Sequence, residues 1–132
     1  MEQKINKGFQ SIESPEIAIA GVRKIVVLGD PGCTRFTDDS KKILGRILAR
    51  DADLFFIVGD LTFTGDEEEF REIIDFCNAR VNVPVFALRG NHDLFHYSKF
   101  LGRDSYALVL GRPFVFFFVT RRGIFPCKGW IF

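Results

Sequence analysis

The stretch Val85-Phe-Ala-Leu-Arg-Gly-Asn-His-Asp93 joins a short apolar run to a glycine and three polar residues. Two similar arrangements lie upstream, where Lys24 to Leu28 precedes Gly29-Asp30 and Leu54 to Val58 precedes Gly59-Asp60. Continuous, β-branched and aromatic runs of this length are typical of strands buried on both faces, as in a parallel sheet. The repeated pattern therefore predicts three parallel strands, each ending in a glycine and a polar side chain.

Amphipathic helices are predicted between these strands. Residues Asp39 to Ala52 carry one apolar stripe with the 3.6-residue period of a helix, and Asp38 or Asp39 is the expected N-cap. Residues Glu67 to Ala79 carry a second stripe and begin with acidic side chains that suit the positive end of the helix dipole. The order strand, helix, strand predicts right-handed crossovers, which place all three polar motifs at one sheet edge. Open α/β sheets bind their ligands at this edge.

The flanking segments are less regular. Residues 1–20 are expected to be a flexible lead-in and 21–120 to form the body of the domain. A short helix is expected at Tyr97 to Gly102, followed by two antiparallel strands at Ser105 to Leu110 and Pro113 to Val119. These strands would join at Gly111-Arg112. Residues 121–132 are basic and aromatic and read as an atypical tail, which suggests a truncated domain or a frameshifted end.

Bulk composition excludes several classes of protein. The chain has 132 residues, 47% of them hydrophobic, which fits one domain with a packed core. A net charge of +1 gives no reason to expect a nucleic-acid partner. No apolar run approaches the length of about 18 residues that spans a bilayer, and the start lacks the apolar core of a signal peptide. Three cysteines without a C-x-x-C pair fit a reduced, cytoplasmic setting.

The residues at the strand ends suit metal and phosphate chemistry. Asp30, Asp60 and Asn91 would supply hard oxygen ligands for a divalent ion such as Mn²⁺ or Mg²⁺, and Fe or Zn would also be accepted. Two carboxylates held close together need a cation or a proton between them. His92 follows Asn91 directly and could face a phosphate oxygen, where a protonated imidazole can stabilise negative charge or donate a proton to a leaving alkoxide. A single Asp after a strand is often only a turn residue or helix cap, so the interpretation depends on the combination.

The motifs resemble those of calcineurin-like metallophosphoesterases. Gly59-Asp60 with Gly65 is similar to their G-D-x-x-x-x-G motif, Gly90-Asn91-His92-Asp93 matches G-N-H-[DE], and Gly29-Asp30 lies where their first motif begins. The resemblance runs from about Ile25 to Val119. It implies an α/β fold, a four-layer α/β/β/α sandwich that would be incomplete at the C-terminus of this chain. It also implies hydrolysis of phosphomonoesters or phosphodiesters through two divalent metal ions and a metal-bound hydroxide, with manganese expected first and iron, zinc or magnesium as alternatives.

The resemblance also implies a role for each site residue. Asp30 would bind the first metal, Asp60 would bridge both metals, and Asn91 would bind the second. His92 would contact the phosphate and assist catalysis, and Asp93 would orient His92. The expected partner is a small phosphate-ester substrate, without a clear nucleic-acid or membrane partner.

Some departures weaken the expected metal site. The family's first motif is usually D-x-H, but here Pro31-Gly32 follows Asp30; purple acid phosphatases, which use D-x-G, add a tyrosine where this chain has Phe63. The family's later motifs contain further histidines, whereas this chain has only His92 and His96, and His96 is expected at the surface. The alternative function is therefore a silent or weakly active module that binds phosphate or a partner. The sequence fits a nucleotide-binding domain less well, because the chain lacks G-x-G-x-x-G after its first predicted strand. The apolar C-terminal strands also predict self-association.

Overall fold

The computed structural model describes residues 4–32, 35–111 and 115–118. A 3-10 turn at Asn91–Asp93 follows the fifth strand. The remaining elements are, in chain order, β1 (Gly8–Phe9), β2 (Glu16–Ala18), β3 (Ile25–Gly29), α1 (Asp38–Leu48), β4 (Leu54–Val58), α2 (Glu67–Asn78), β5 (Pro84–Leu88), α3 (Tyr97–Leu101), β6 (Tyr106–Val109) and β7 (Val115–Phe118).

The first sheet has the strand order β1-β5-β4-β3, and every neighbouring pair is parallel. The three strands predicted from the repeated pattern are thus confirmed. Phe56 of β4 pairs with Val27 of β3 on one side and with Phe86 of β5 on the other. Because the three strands are in register, the loops that follow them begin side by side.

Both predicted helices are present, with slightly different ends. The N-cap of α1 is Thr37, whose Oγ1 accepts a hydrogen bond from the Ser40 amide at 3.3 Å. The prediction that Asp38 or Asp39 caps this helix is therefore wrong; both lie in its first turn. There their carboxylates still interact favourably with the helix dipole.

The first sheet separates two hydrophobic cores. Side chains alternate along β4, so that Phe55 and Ile57 pack against the helices while Leu54 and Phe56 pack against the second sheet. Burial on both faces explains why the sequence of this strand is continuously apolar. The second sheet has the order β2-β6-β7, and its β6–β7 pair is antiparallel, as predicted.

The architecture is mixed α/β and agrees with the expected fold. The described residues form three layers, with helices on the first sheet and the first sheet on the second. A further helical layer is not found among the described residues. The expected turn at Arg112, the ends of the last predicted strand and the tail at 121–132 lie outside them.

The expectation of a flexible lead-in is wrong for residues 4–20. β1 pairs with β5 in the first sheet, and β2 pairs with β6 in the second. Ile12 and Ile17 are buried in the core between the sheets. These short strands satisfy backbone groups at the edges of β5 and β6 that would otherwise lack partners. The segment therefore joins both sheets.

None of the helices in the described part of the chain has both the length and the apolar character that a membrane span requires.

The end of β5, which carries the third motif, is held from both of its faces. The hydroxyls of Tyr97 and Tyr106 both donate to the carbonyl of Ala87, at 2.9 and 2.7 Å. Tyr97 belongs to the core beneath the helices and Tyr106 to the core between the sheets. Because the end of β5 is hydrogen-bonded to side chains from both layers, we expect the start of the following loop to be held in position.

Candidate metal and phosphate site

The three polar motifs meet at the carboxyl edge of the first sheet, as the strand order predicts. The Asp30 amide donates to the Val58 carbonyl at 3.4 Å, and the Gly59 amide donates to the Leu88 carbonyl at 3.2 Å. These bonds continue the sheet past the ends of β3 and β4. Asp30, Asp60 and the Asn91–Asp93 turn therefore leave neighbouring strands at the same level.

Asp60 lies at the centre of this edge. Its side chain is buried, with the residue 3% exposed, and its Oδ1 accepts a hydrogen bond from the His92 amide at 3.1 Å. The bond connects the second motif directly to the third. Asp60 and Asp30 both have positive φ, at 40° and 50°. This backbone conformation is uncommon for residues other than glycine, and such strain concentrates at functional sites.

The electrostatics of Asp30 favour a cation. Partial burial raises the pKa of the Asp30 carboxyl, and the negative charge of Asp60 raises it further, while His92 opposes both effects. The two carboxylates therefore destabilise each other when both are ionised. A divalent ion between them would remove this repulsion.

Asp30→Asn is expected to stabilise the metal-free chain at neutral pH. Because the folded pKa of Asp30 is raised, ionising this group costs stability as the pH rises through that pKa. The thermal midpoint measured in chelator should therefore be higher in Asp30→Asn than in wild type at pH 7. The gain should shrink below the ordinary pKa of 3.8, where Asp30 is protonated.

The matched control is Asp75→Asn, which changes an exposed carboxylate on α2. An equal gain for Asp30→Asn at both pH values would contradict the assigned repulsion. It would instead point to the preference of asparagine for positive φ.

Asp93 has a different place from the expected one. The residue is 0% exposed, and its carboxylate accepts bonds from the amides of Leu61 (3.0 Å), Thr62 (2.9 Å) and Gly90 (2.9 Å). The Thr62 hydroxyl donates to it at 2.8 Å. Burial raises the pKa of Asp93, and these hydrogen bonds oppose the rise. Asp93 thus joins the second and third motifs, and the expectation that it orients His92 is corrected.

The contact that orients His92 comes from the backbone of Phe63. His92 Nδ1 lies 2.6 Å from the Phe63 carbonyl oxygen. Since a carbonyl oxygen can only accept, Nδ1 carries the proton, and the other ring nitrogen, Nε2, is left for a ligand. The predicted role of His92 at the phosphate stays a prediction, and the partner that orients its ring is the Phe63 carbonyl.

Gly32, where the family usually has a histidine, packs directly against the second motif. Its amide donates to the Asp60 carbonyl at 2.7 Å. A Cβ at this position would overlap the backbone of Leu61 and Thr62. The first loop therefore approaches too closely for any side chain at position 32, so a histidine ligand there would require the loop to move.

Neighbouring residues that the sequence did not single out also shape the site. The Phe63 ring lies 5.8 Å from the His92 ring, and the exposed Arg35 guanidinium lies 5.5 Å from the Phe63 ring. Glu69 accepts hydrogen bonds from the Phe63 and Thr64 amides. The acidic start of α2 was the only signal for Glu69, and no pattern marked Arg35.

The outer residues of the third motif differ in position. Asn91 is exposed at the sheet edge and begins the 3-10 turn. His96 lies 3.7 Å from the Glu67 carboxylate at the start of α2, in keeping with its expected surface position. Within the described ranges, no group of three or more His, Cys, Asp or Glu side chains is arranged to hold a metal ion.

Gly65→Ala is expected to destabilise the fold more than Gly21→Ala does. Both glycines have positive φ, at 79° and 78°, so each alanine adds about 1 kcal/mol of backbone strain. A Cβ at Gly65 would also lie 2.8 Å from the His92 carbonyl, whereas one at Gly21 meets nothing within 4 Å. Urea unfolding should show roughly 1–3 kcal/mol of extra loss for Gly65→Ala. Equal losses would mean that the second and third motifs are not held in this close contact.

Comparison with known proteins agrees with this fold. A family model described as calcineurin-like phosphoesterase matches residues 23–130. A search of curated proteins found no match.

Proposed function

This chain belongs to the calcineurin-like phosphoesterase family, and we propose that it hydrolyses phosphomonoesters or phosphodiesters with the help of divalent metal ions. The observation that carries the proposal is the meeting of Asp30, Asp60 and the Asn91–His92 pair at one sheet edge. The family membership supports the proposed reaction class, and the geometry supports the choice of residues.

The donor set fits a divalent ion held by oxygen. Asp30 and Asp60 are close enough for their charges to interact, and Asn91 adds an amide oxygen at the same edge. In the described part of the chain these residues would leave several positions to water, so we expect weak binding. Oxygen ligands suit manganese or magnesium and accept iron or zinc, and we retain manganese as the first candidate. Members of the family generally bind two divalent ions, and we propose two ions for this chain.

The chain's own residues would divide the work as follows. Asp30, Asp60 and Asn91 would hold the ion, which when bound polarises the phosphoryl group and lowers the pKa of water. His92 would direct Nε2 toward the ester, because Nδ1 is occupied by the Phe63 carbonyl. In its protonated form the ring would donate from Nε2 to the leaving oxygen. Asp93 would keep the second and third motifs in register through its amide bonds.

The second candidate is a module that binds phosphate or a protein partner without efficient turnover. Gly32 and Phe63 favour it, since neither residue can coordinate a metal where relatives use histidine or tyrosine. The absence of a three-ligand group among the described residues points the same way. Only the first candidate predicts efficient hydrolysis of a phosphate ester, whereas both allow the chain to bind phosphate.

Hydrolysis of bis-para-nitrophenyl phosphate and para-nitrophenyl phosphate, measured with increasing Mn²⁺, tests the proposal. We expect turnover that rises with Mn²⁺ and disappears in chelator, and the preferred substrate would show whether diesters or monoesters are used. Phosphate binding without turnover of either ester would support the second candidate instead.

The remaining features of the proposal concern setting and partners. We propose a small phosphate-ester substrate and a cytoplasmic setting, which the buried free thiol of Cys77 suits. Self-association through the C-terminal strands stays a prediction. Sedimentation of the chain at several concentrations would test it.

A further inference from the structure

We infer that Glu69 is a positioning residue for His92, acting through the peptide bond between Phe63 and Thr64. This inference rests on the proposed function only in assigning His92 to the substrate. The orientation of the ring is a property of the chain itself and is measurable without metal or ester.

The first step concerns the hydrogen bonds that Glu69 accepts from the loop before α2. One carboxylate oxygen accepts from the Phe63 amide at 2.7 Å, and the other accepts from the Thr64 amide at 3.0 Å. The Thr64 hydroxyl also donates to this carboxylate. Glu69 is the third residue of α2, where glutamate often bonds to the N-cap amide. Here Glu69 does not bond to the amide of the N-cap residue Asp66. It accepts hydrogen bonds from two consecutive amides earlier in the loop.

The second step is peptide geometry. The Thr64 N–H and the Phe63 C=O belong to the same planar peptide unit and point in opposite directions. When Glu69 fixes the direction of the Thr64 N–H, it also fixes the direction of the Phe63 carbonyl. That carbonyl oxygen lies 2.6 Å from His92 Nδ1.

The third step is the consequence for the imidazole. A neutral histidine has one N–H, and the hydrogen bond at one nitrogen decides which nitrogen carries it. The Phe63 carbonyl requires the proton on Nδ1 and leaves the lone pair on Nε2. Glu69 therefore sets both the tautomer and the direction of His92, although it does not touch the ring.

The chain allows a direct spectroscopic test, because His92 and His96 are its only histidines. Long-range ¹H–¹⁵N correlation spectra of the metal-free chain in chelator, at a pH where the rings are neutral, report the tautomer of each ring. Loss of one signal set in His96→Gln assigns the other set to His92. Wild type should show His92 protonated at Nδ1.

Glu69→Ala should lose this signature and show His92 as a mixture with the Nε2–H form. Glu68→Ala, an exposed neighbour on the same helix, is the matched control and should keep it. Glu69→Gln retains one accepting oxygen and should give an intermediate mixture. A folded Glu69→Ala chain whose His92 remains fully protonated at Nδ1 would overturn the inference.

If Glu69→Ala does not fold, Glu69→Gln decides. A Glu69→Gln spectrum that is the same as that of Glu68→Ala would then overturn the inference. Because the spectra need no turnover, an inactive wild type would contradict the proposed function while leaving this result intact. A lost signature in a chain with full activity would show that the tautomer does not limit hydrolysis.

Discussion

Asp60→Asn is expected to abolish metal-dependent hydrolysis while leaving the fold intact. Removing the central carboxylate would take away a proposed metal ligand, and metal ions contribute several kcal/mol to such reactions. We therefore expect kcat/KM to fall by at least about a hundredfold. The fold should survive because asparagine retains an oxygen that accepts from the His92 amide and tolerates the φ of 40° at this position.

The matched control is Asp66→Asn, the same chemical change six positions away. Asp66 is the N-cap of α2, but its side chain makes no capping hydrogen bond. Turnover by this variant should stay close to wild type. Unchanged turnover in Asp60→Asn would show that the hydrolysis comes from a different site or from a contaminant.

Asp93→Ala is expected to cost the chain much of its stability. The substitution leaves the amides of Leu61, Thr62 and Gly90 without their buried acceptor. At about 1–3 kcal/mol for each of these three unsatisfied groups, the total loss is roughly 3–9 kcal/mol. Since small domains are stable by only about 5–15 kcal/mol, this variant should unfold at much lower urea concentrations.

Asp93→Asn separates charge from hydrogen bonding, because it keeps one accepting oxygen of the same shape. The free energy of unfolding of Asp93→Asn should lie between that of wild type and that of Asp93→Ala. Asp75→Ala, at an exposed position on α2, should change little. An unfolding midpoint for Asp93→Ala equal to that of wild type would contradict the role of Asp93 as the link between the motifs.

Much of the fold follows from local sequence patterns. The apolar runs that become β3, β4 and β5 are long enough to be recognised, and burial on both faces explains the composition of β4 and β5. The expectation of burial on both faces is wrong for β3, which lies at an edge of the described sheet and leaves Val27 63% exposed. The strands β1 and β2 could not be predicted in the same way. They have two and three residues, and each is defined by pairing with a strand far along the chain.

The same distinction applies to the site. The meeting of Asp30, Asp60 and the third motif follows from strand order, because parallel strands end at one edge. The partners of individual side chains do not follow from it. Asp93 bonds to Leu61 and Thr62, which are more than thirty positions away, and the His92 ring meets a backbone carbonyl. Backbone donors and acceptors leave no residue-type signal in a sequence.

The most direct test of the proposed metal site is a titration of the folded chain with Mn²⁺, in which electron paramagnetic resonance measures the ion that stays free. Our account predicts that wild type removes the free-ion signal in a saturable way and that Asp60→Asn leaves most of it in place. Binding that is unchanged in Asp60→Asn, or a folded wild-type chain that leaves the signal untouched, would contradict a metal site at the ends of β3, β4 and β5.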